Sequence, residues 1–242
     1  KKVFFLLAKS LFVGYNKSFI VSDTLEATEV MLMFPSAKTH IAANFSENLQ
    51  KPFVRAKKAQ GFLKIIFIGR IHPIKNLKYL LSLLVKTHIV GSLKIIGVKE
   101  DVRYWLECEK VIEKIRNVKV EYLGELPHEE LYDHIIDSQL LVLPTLGENF
   151  GHAIAESIAA GRPVLISDRT PWKNLSQKGL GWEHSLDASE SFIQSLETAF
   201  HWSQEEFDFF CSRCYDWCRK ENTTSKLIKE YKKIFEDVYI GN

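Results

Sequence analysis

Residues 140–167 read LLVLPTLGENFGHAIAESIAAGRPVLIS, and the fold follows from how that stretch is parsed. Leu140 to Leu143 is a short apolar run closed by Pro144. A polar loop with glycines at Gly147 and Gly151 comes next. Gly151 to Ala160 then reads as a helix, with Gly161 suited to the left-handed cap beyond its end. Val164 to Ser167 is apolar again. The order is buried strand, glycine-bearing loop, helix, cap, buried strand. The N-terminus of such a helix opens at the carboxyl end of a parallel strand, where free amides and the helix dipole favour a phosphate. Glu148 and Glu156 flank the junction, two carboxylates able to hold neutral hydroxyl groups on either side of that phosphate.

The same alternation extends backwards. Leu63 to Ile68, Leu93 to Val98 and Val118 to Leu123 read as strands. Leu77 to Lys86, Val102 to Ile115 and Glu129 to Ile136 read as the helices between them. Strands that are apolar on both faces and alternate with helices predict an α/β domain, a doubly wound parallel sheet covered on both sides. Three further helical stretches follow at Ala188 to Trp202, Glu205 to Arg219 and Thr224 to Tyr239. Before the alternation, residues 45–60 are polar and interrupted by Pro52, which reads as a linker. Residues 1–44 read as a helix, a strand at Phe19 to Val21, a helix at Thr24 to Phe34 and a strand at Lys38 to Ala42, too little to close a sheet alone. The first helix lacks an N-cap and the chain does not begin with Met, so a fragment or a processed product is expected.

Composition sets wide bounds. The 242 residues are 46% hydrophobic, enough for one large domain or two small ones. A net charge of +2, without blocks of like charge, gives no reason to expect a nucleic-acid partner. Four cysteines are too few for a disulfide scaffold, so a reducing, cytoplasmic setting is expected. Cys211, Cys214 and Cys218 could be three zinc ligands with His201 as a fourth. Their spacing equally marks one helix face, a reading favoured by Phe207, Phe210 and Trp217 sharing the periodicity. No apolar stretch reaches membrane-spanning length. The signal-like start at Lys1-Lys2 is interrupted by Lys9 and fits a core-facing helix.

The residues with chemical potential lie at the carboxyl ends of the predicted strands. The first strand runs into Gly69-Arg70-Ile71-His72-Pro73-Ile74-Lys75-Asn76. Arg70 and Lys75 could neutralise a diphosphate, the arginine bidentately, and Gly69 would let the backbone come close. The same two residues would also fit solvated loop cations. Carboxylates eight residues apart on a helix lie on the order of 10 Å apart along its axis. Retaining glycosidases need their carboxylates at about 5 to 5.5 Å, so the spacing suits gripping two ends of an extended ligand. Alternatively Glu148 is an N-terminal helix charge and Glu156 a surface acid. His152 could be a general base, a structural histidine or a donor to the ligand.

Together these elements resemble the C-terminal, donor-binding half of GT-B glycosyltransferases of the retaining GT4, or group 1, family. Gly69-Arg70 with Lys75-Asn76 is similar to its G-R-x-x-x-x-K-N element. Glu148 and Glu156 are similar to its E-x7-E motif, and Gly161-Arg162-Pro163-Val164 to its G-x-P-V element. The Thr170 to Leu175 stretch looks like relatives that build bacterial capsule, O-antigen or other surface polysaccharides. The resemblance implies a Rossmann-like domain at 61–220, a remnant of an N-terminal acceptor domain at 1–44, and a helix at 221–242 packing back towards that domain. Arg70, Lys75 and Glu148 would be the catalytic residues. Gly69, Leu123, Gly124, Leu126, Asn149, Phe150, Gly151 and Glu156 would bind the donor. Glu148 would contact the sugar, residues 149–151 would offer amides to sugar and phosphate, and Glu156 would hold the ribose. The 123–126 loop would frame the base.

What this implies is a hexosyltransferase that takes a UDP- or GDP-type nucleotide-sugar donor and a glycan or lipid-linked acceptor. No metal or other cofactor is implied. Peripheral association of the full protein with the cytoplasmic membrane is expected. Three departures stand out: Ser138-Gln139 for Ala-Asp, Thr170-Pro171-Trp172 for Gly-Gly-x-Pro-Glu, and Asn149 for Gly. With the N-terminal Rossmann domain absent, weak nucleotide binding and little or no transfer are expected of this chain alone. A non-catalytic nucleotide-binding module and a nucleotide-sugar epimerase of the same fold are the alternatives.

Overall fold

A computed structural model of the chain describes residues 18–21, 24–41, 51–221 and 231–238. The chain divides into two compact units, residues 1–45 with 224–242 and residues 46–223. In the first, β1 (Ser18–Val21) and β2 (Lys38–Ile41) pair in parallel with Ser18 opposite Lys38, linked through α1 (Thr24–Met33). Phe19 stacks on Phe34 at 5.3 Å, and Val21, Ala27 and Phe34 are buried. Residues 231–238 of this unit are helical. The helix expected before Ser18 and residues 224–230 of the terminal helix lie outside the described residues.

The second unit holds the sheet. Its elements are β3 (Leu63–Ile68), α2 (Leu77–Lys86), β4 (Gly91–Ile96), α3 (Val102–Ile112), β5 (Val118–Gly124), α4 (His128–Asp137) and β6 (Leu140–Leu143). They continue with α5 (His152–Ala159), β7 (Val164–Ser167), α6 (Leu175–Lys178), β8 (Gly181–His184), α7 (Ser189–His201) and α8 (Gln204–Glu221). The six strands lie in the order β5-β4-β3-β6-β7-β8, every pairing parallel. The chain winds outward from β3 to β4 and β5, then crosses to β6 and winds the other way. That reversal makes the α/β sheet doubly wound and opens a crevice at the carboxyl ends of β3 and β6. All four residues of β6 and of β7 are buried, as strands covered on both faces must be.

Four details differ from the sequence reading. β4 begins at Gly91 and ends at Ile96, two residues earlier than expected. Gly91 is admitted because a Cβ there would lie 2.0 Å from the Leu63 carbonyl oxygen. α3 ends at Ile112 because the amides beyond Glu113 turn to carbonyls three residues back, Lys114 to Val111 and Ile115 to Ile112. β8 and α6 were not anticipated, since Gly181-Trp182-Glu183-His184 carries no apolar run and the four residues of α6 no period. Finally, residues 51–60 are irregular but anchored. Lys58 is buried, and its ammonium donates to the carbonyls of Ala59, Phe62 and Phe200. Arg55 pairs with Asp208, and Phe53 packs on Tyr215 at 5.2 Å.

Arg162 anchors the same region from within. It is fully buried, and among the described residues it pairs with no carboxylate. Its guanidinium donates to the carbonyls of Ile136 and Ser138 at the end of α4, of Ala160 and Gly161 at the end of α5, and of Val54. Cys211, Cys214 and Cys218 lie buried on α8 as one helix face. Burial pushes the Cys211 thiol up to about 12, which makes it an inert core group. Among the described residues no cluster of His, Cys, Asp and Glu could hold a metal ion.

Candidate functional site

The crevice between β3 and β6 is lined by the two loops singled out from sequence. After β3, His72 accepts from the Ile74 amide through Nδ1 and caps the 3-10 turn Pro73–Lys75. Asn76 ends that turn at φ 56, a left-handed conformation that asparagine tolerates better than most residues. The turn thereby directs Lys75 back across the crevice while α2 starts behind it. After β6, the Ile74 carbonyl accepts from the Leu146 amide at 2.7 Å and from the Thr145 hydroxyl at 2.8 Å. These bonds tie the two loops into one wall.

Lys75 and Glu148 meet on that wall as a direct ion pair, with side chains only 16% and 15% exposed. The helix α5 opens beside them. Its N-cap is Gly151 at φ 82, and among the described residues no side chain caps the helix. The first amides of a helix have no intrahelical partner, so this end offers donors to a ligand. A Cβ at Gly151 would lie 2.8 Å from Ile154 Cδ1 and 3.2 Å from Glu148 Cγ, so both the angle and the space require glycine.

Glu156 sits one turn further along α5, buried, with His128 Nε2 3.0 Å from its Oε1. His128 opens α4, directly after the 123–126 loop. The two glutamates therefore face different neighbours, Glu148 the loop after β3 and Glu156 the first residue of α4. Glu148 also precedes the helix, so a helical rise does not measure their separation. Leu123, Gly124 and Leu126 lie half-buried at the carboxyl end of β5.

Arg70 is not brought to the Lys75–Glu148 pair. It leaves the same end of the sheet but pairs with Glu100 in the loop after β4, its side chain 56% exposed. Gly69 is less constrained than expected, since a Cβ there would make ordinary contact, 3.5 Å, with Lys75 Cγ. The glycine that the close approach demands is Gly97. It lies at φ 144, and a Cβ on it would stand 2.1 Å from the Gly69 carbonyl oxygen. Its amide donates to the Gly124 carbonyl at 2.8 Å, joining the ends of β4 and β5. His152 is exposed, its ring 4.9 Å from that of Phe150.

Sequence reasoning missed the braces behind the glutamate loop. The Arg169 carbonyl accepts from the Glu148 amide at 3.1 Å, and the Trp172 indole donates to the Phe150 carbonyl at 2.6 Å. Glu183 of β8 accepts from the Asn174 and Leu175 amides and fixes the far end of the bracing loop. The only signal was the departure at residues 170–172, which marks a different loop without revealing its contacts.

The sequence model of the family described as "Glycosyl transferases group 1" matches residues 50–179. A protein of Klebsiella pneumoniae, described as an uncharacterized 41.2 kDa protein in the cps region, is 22% identical over 178 residues. That match covers 72% of this chain and 46% of the relative, so the chain spans about half the length of the relative. Sucrose-phosphate synthase of Thermosynechococcus elongatus superposes with a TM-score of 0.76 at 14% identity, covering 100% of this chain and 63% of that one. Anabaena HepE, solved with UDP and glucose, gives a TM-score of 0.69 at 13% identity, covering 99% and 67%. WaaG, a glycosyltransferase of lipopolysaccharide biosynthesis, gives 0.66 at 14% identity, covering 87% and 60%. At these identities the structural likeness speaks for the fold, that of GT-B enzymes.

Proposed function

From the premise that this chain belongs to the group 1 glycosyl transferases, we propose that it is the donor-binding part of a retaining hexosyltransferase. The donor is a nucleoside-diphosphate sugar, and the acceptor is a glycan or lipid-linked saccharide of a bacterial surface polysaccharide. The likeness to a cps-region protein and to WaaG supports that setting. The full protein works in the cytoplasm at the inner face of the membrane. No described helix is long and apolar enough to cross one. Residues 1–44 belong to the acceptor-side domain of that enzyme.

The observation that carries the reading is the meeting of Lys75 and Glu148 beside the uncapped start of α5. In transfer, the bond from the anomeric carbon to the terminal phosphate oxygen breaks and its electron pair leaves with the diphosphate. A bond to the acceptor hydroxyl oxygen forms, and the proton of that hydroxyl passes to the departing phosphate oxygen or to solvent. The protein's main contribution is to stabilise the leaving negative charge with fixed cations and amides. Lys75, the Gly151 amide and an inward-turned Arg70 supply them. Glu148 holds hydroxyls of the transferred sugar, Glu156 those of the ribose, and the 123–126 loop frames the base. No metal is needed for this charge balance.

The test is calorimetric titration with UDP, GDP and ADP and with the matching nucleosides. One diphosphate should bind more tightly than its nucleoside. Lys75→Ala should remove about 1.5–3 kcal/mol, roughly 10- to 100-fold, from the diphosphate alone. Equal losses for nucleotide and nucleoside would take Lys75 out of the phosphate site.

A further inference from the structure

Trp172 stands where the sequence departs from its family's usual loop, and its contacts give it a task. Its indole N–H donates to the Phe150 carbonyl at 2.6 Å. Its ring lies between two others, Phe150 at 6.3 Å and Trp217 of α8 at 5.9 Å. Its backbone is set by Thr170, whose hydroxyl oxygen accepts the Trp172 amide at 3.2 Å. The side chain is therefore held from the loop, from α8 and from the glutamate loop at once.

The carbonyl it grips belongs to the peptide that links Phe150 to Gly151. That peptide is trans, as are all those described, so its C=O and N–H point in opposite directions. Fixing the Phe150 oxygen towards Trp172 fixes the Gly151 N–H on the opposite side of the peptide, away from Trp172. A hydrogen bond accepted at the oxygen also polarises the amide and strengthens its N–H as a donor. Gly151 at φ 82 has no Cβ to hold this orientation against a peptide flip, so the constraint must come from outside the backbone.

We propose that Trp172 is a positioning residue that aims the Gly151 amide at a phosphate oxygen of the bound nucleoside diphosphate. It acts through the Phe150–Gly151 peptide and does not touch the ligand. The inference rests on the donor-site reading above and deepens it by assigning one donor's orientation to a side chain outside the motifs.

Trp172→Phe keeps an aromatic ring between Phe150 and Trp217 and removes only the donor. With UDP as probe, or GDP or ADP if one of these binds the wild type best, affinity should fall about three- to tenfold. Affinity for the matching nucleoside should hold, and thermal unfolding should move little. The Gly151 amide resonance of the free protein should shift in the variant. Equal nucleotide affinity in variant and wild type, or parallel losses for nucleotide and nucleoside, overturns the positioning role and leaves the donor site standing. A wild type that binds none of the three diphosphates overturns the donor reading and this inference together. Should Trp172→Phe not fold, the wild-type Trp172 indole N–H resonance decides. It should move with the diphosphate and stay put with the nucleoside, and a signal unmoved by the diphosphate refutes the link.

Discussion

Replacing Arg162 by methionine keeps most of the side-chain length and discards every donor. The guanidinium serves five carbonyls, with the shortest contacts at 2.6 Å to Ile136 and 3.0 Å to Ser138 and Val54. Four of the five stand at the ends of α4 and α5, where the last carbonyls lack intrahelical donors. One cation thus caps two helices and attracts the negative ends of both dipoles. Left unsatisfied, each buried acceptor costs about 1–3 kcal/mol, or on the order of 5–15 kcal/mol for five. Against that, methionine spares the chain the burial of a charge, an offset of several kcal/mol. Burial lowers the pKa of the guanidinium, the direction this cost requires. The expected net loss is about 3–5 kcal/mol, a large share of the 5–15 kcal/mol typical of a folded protein. In urea unfolding followed by far-UV circular dichroism, the midpoint should fall accordingly. The melting temperature should drop by roughly 6–20 °C, at about 2–4 °C per kcal/mol for a chain of this size. Arg162→Lys should recover part of the loss, because one ammonium cannot reproduce the planar fork. A methionine variant within about 1 kcal/mol of wild type would mean that water serves these carbonyls and that the two helix ends do not depend on Arg162.

Three further outcomes are expected. Gly97→Ala would place a Cβ 2.1 Å from the Gly69 carbonyl at a positive φ, so it should destabilise by more than about 2 kcal/mol and lower diphosphate affinity, seen in paired unfolding and calorimetry. Glu156→Ala should weaken the ribonucleotide relative to the deoxyribonucleotide by calorimetry, and equal effects on both would detach Glu156 from the ribose. Burial holds the His184 imidazole below its ordinary value, with Ser195 Oγ 2.8 Å from its Nε2. The unfolded chain then binds the proton more readily, so this stability is fully present above about pH 6.5 and is lost as pH falls through the lower folded value. His184→Gln should flatten that acidic slope in urea midpoints measured between about pH 7 and 5.

The strands most buried in the sheet were the most legible. β3, β6 and β7 were placed to the residue because apolar side chains on both faces leave a continuous run that no helix or loop mimics. β8 was missed for the opposite reason. It is an edge strand with half-buried residues at three of its four positions, admitted by Gly181, whose added Cβ would strike the Val164 carbonyl at 1.9 Å. At the site, spacing sufficed to put Lys75, Glu148 and the start of α5 along one crevice, because strand ends and turn lengths fix where the backbone goes. Spacing could not say where an exposed side chain rests, and Arg70 rests on Glu100. Nor could it show that Gly97, from the neighbouring strand, rather than Gly69 bears the close contact. That contact exists only once β3 and β4 are paired.

These differences divide the proposed diphosphate site into two kinds of partner. The glutamate loop is held before any ligand arrives: by the Ile74 carbonyl on one side, the Arg169 carbonyl on another and the Trp172 indole behind. Its amides are preorganised, and an oriented donor gives up little further freedom on binding. Arg70 is held only by a half-exposed ion pair, of a kind typically worth about 0–1 kcal/mol. In the proposed site, exchanging Glu100 for a phosphate would cost little, so Arg70 would be recruited as charge develops on the leaving group. Lys75 must loosen a contact with Glu148 that is mostly shielded from water. A diphosphate that draws Lys75 forward would leave the Glu148 carboxylate without its cation and ready to accept hydrogen bonds from the sugar hydroxyls. Anion binding and sugar binding are then two halves of one exchange. That argues for a donor that carries both groups rather than for a free nucleotide.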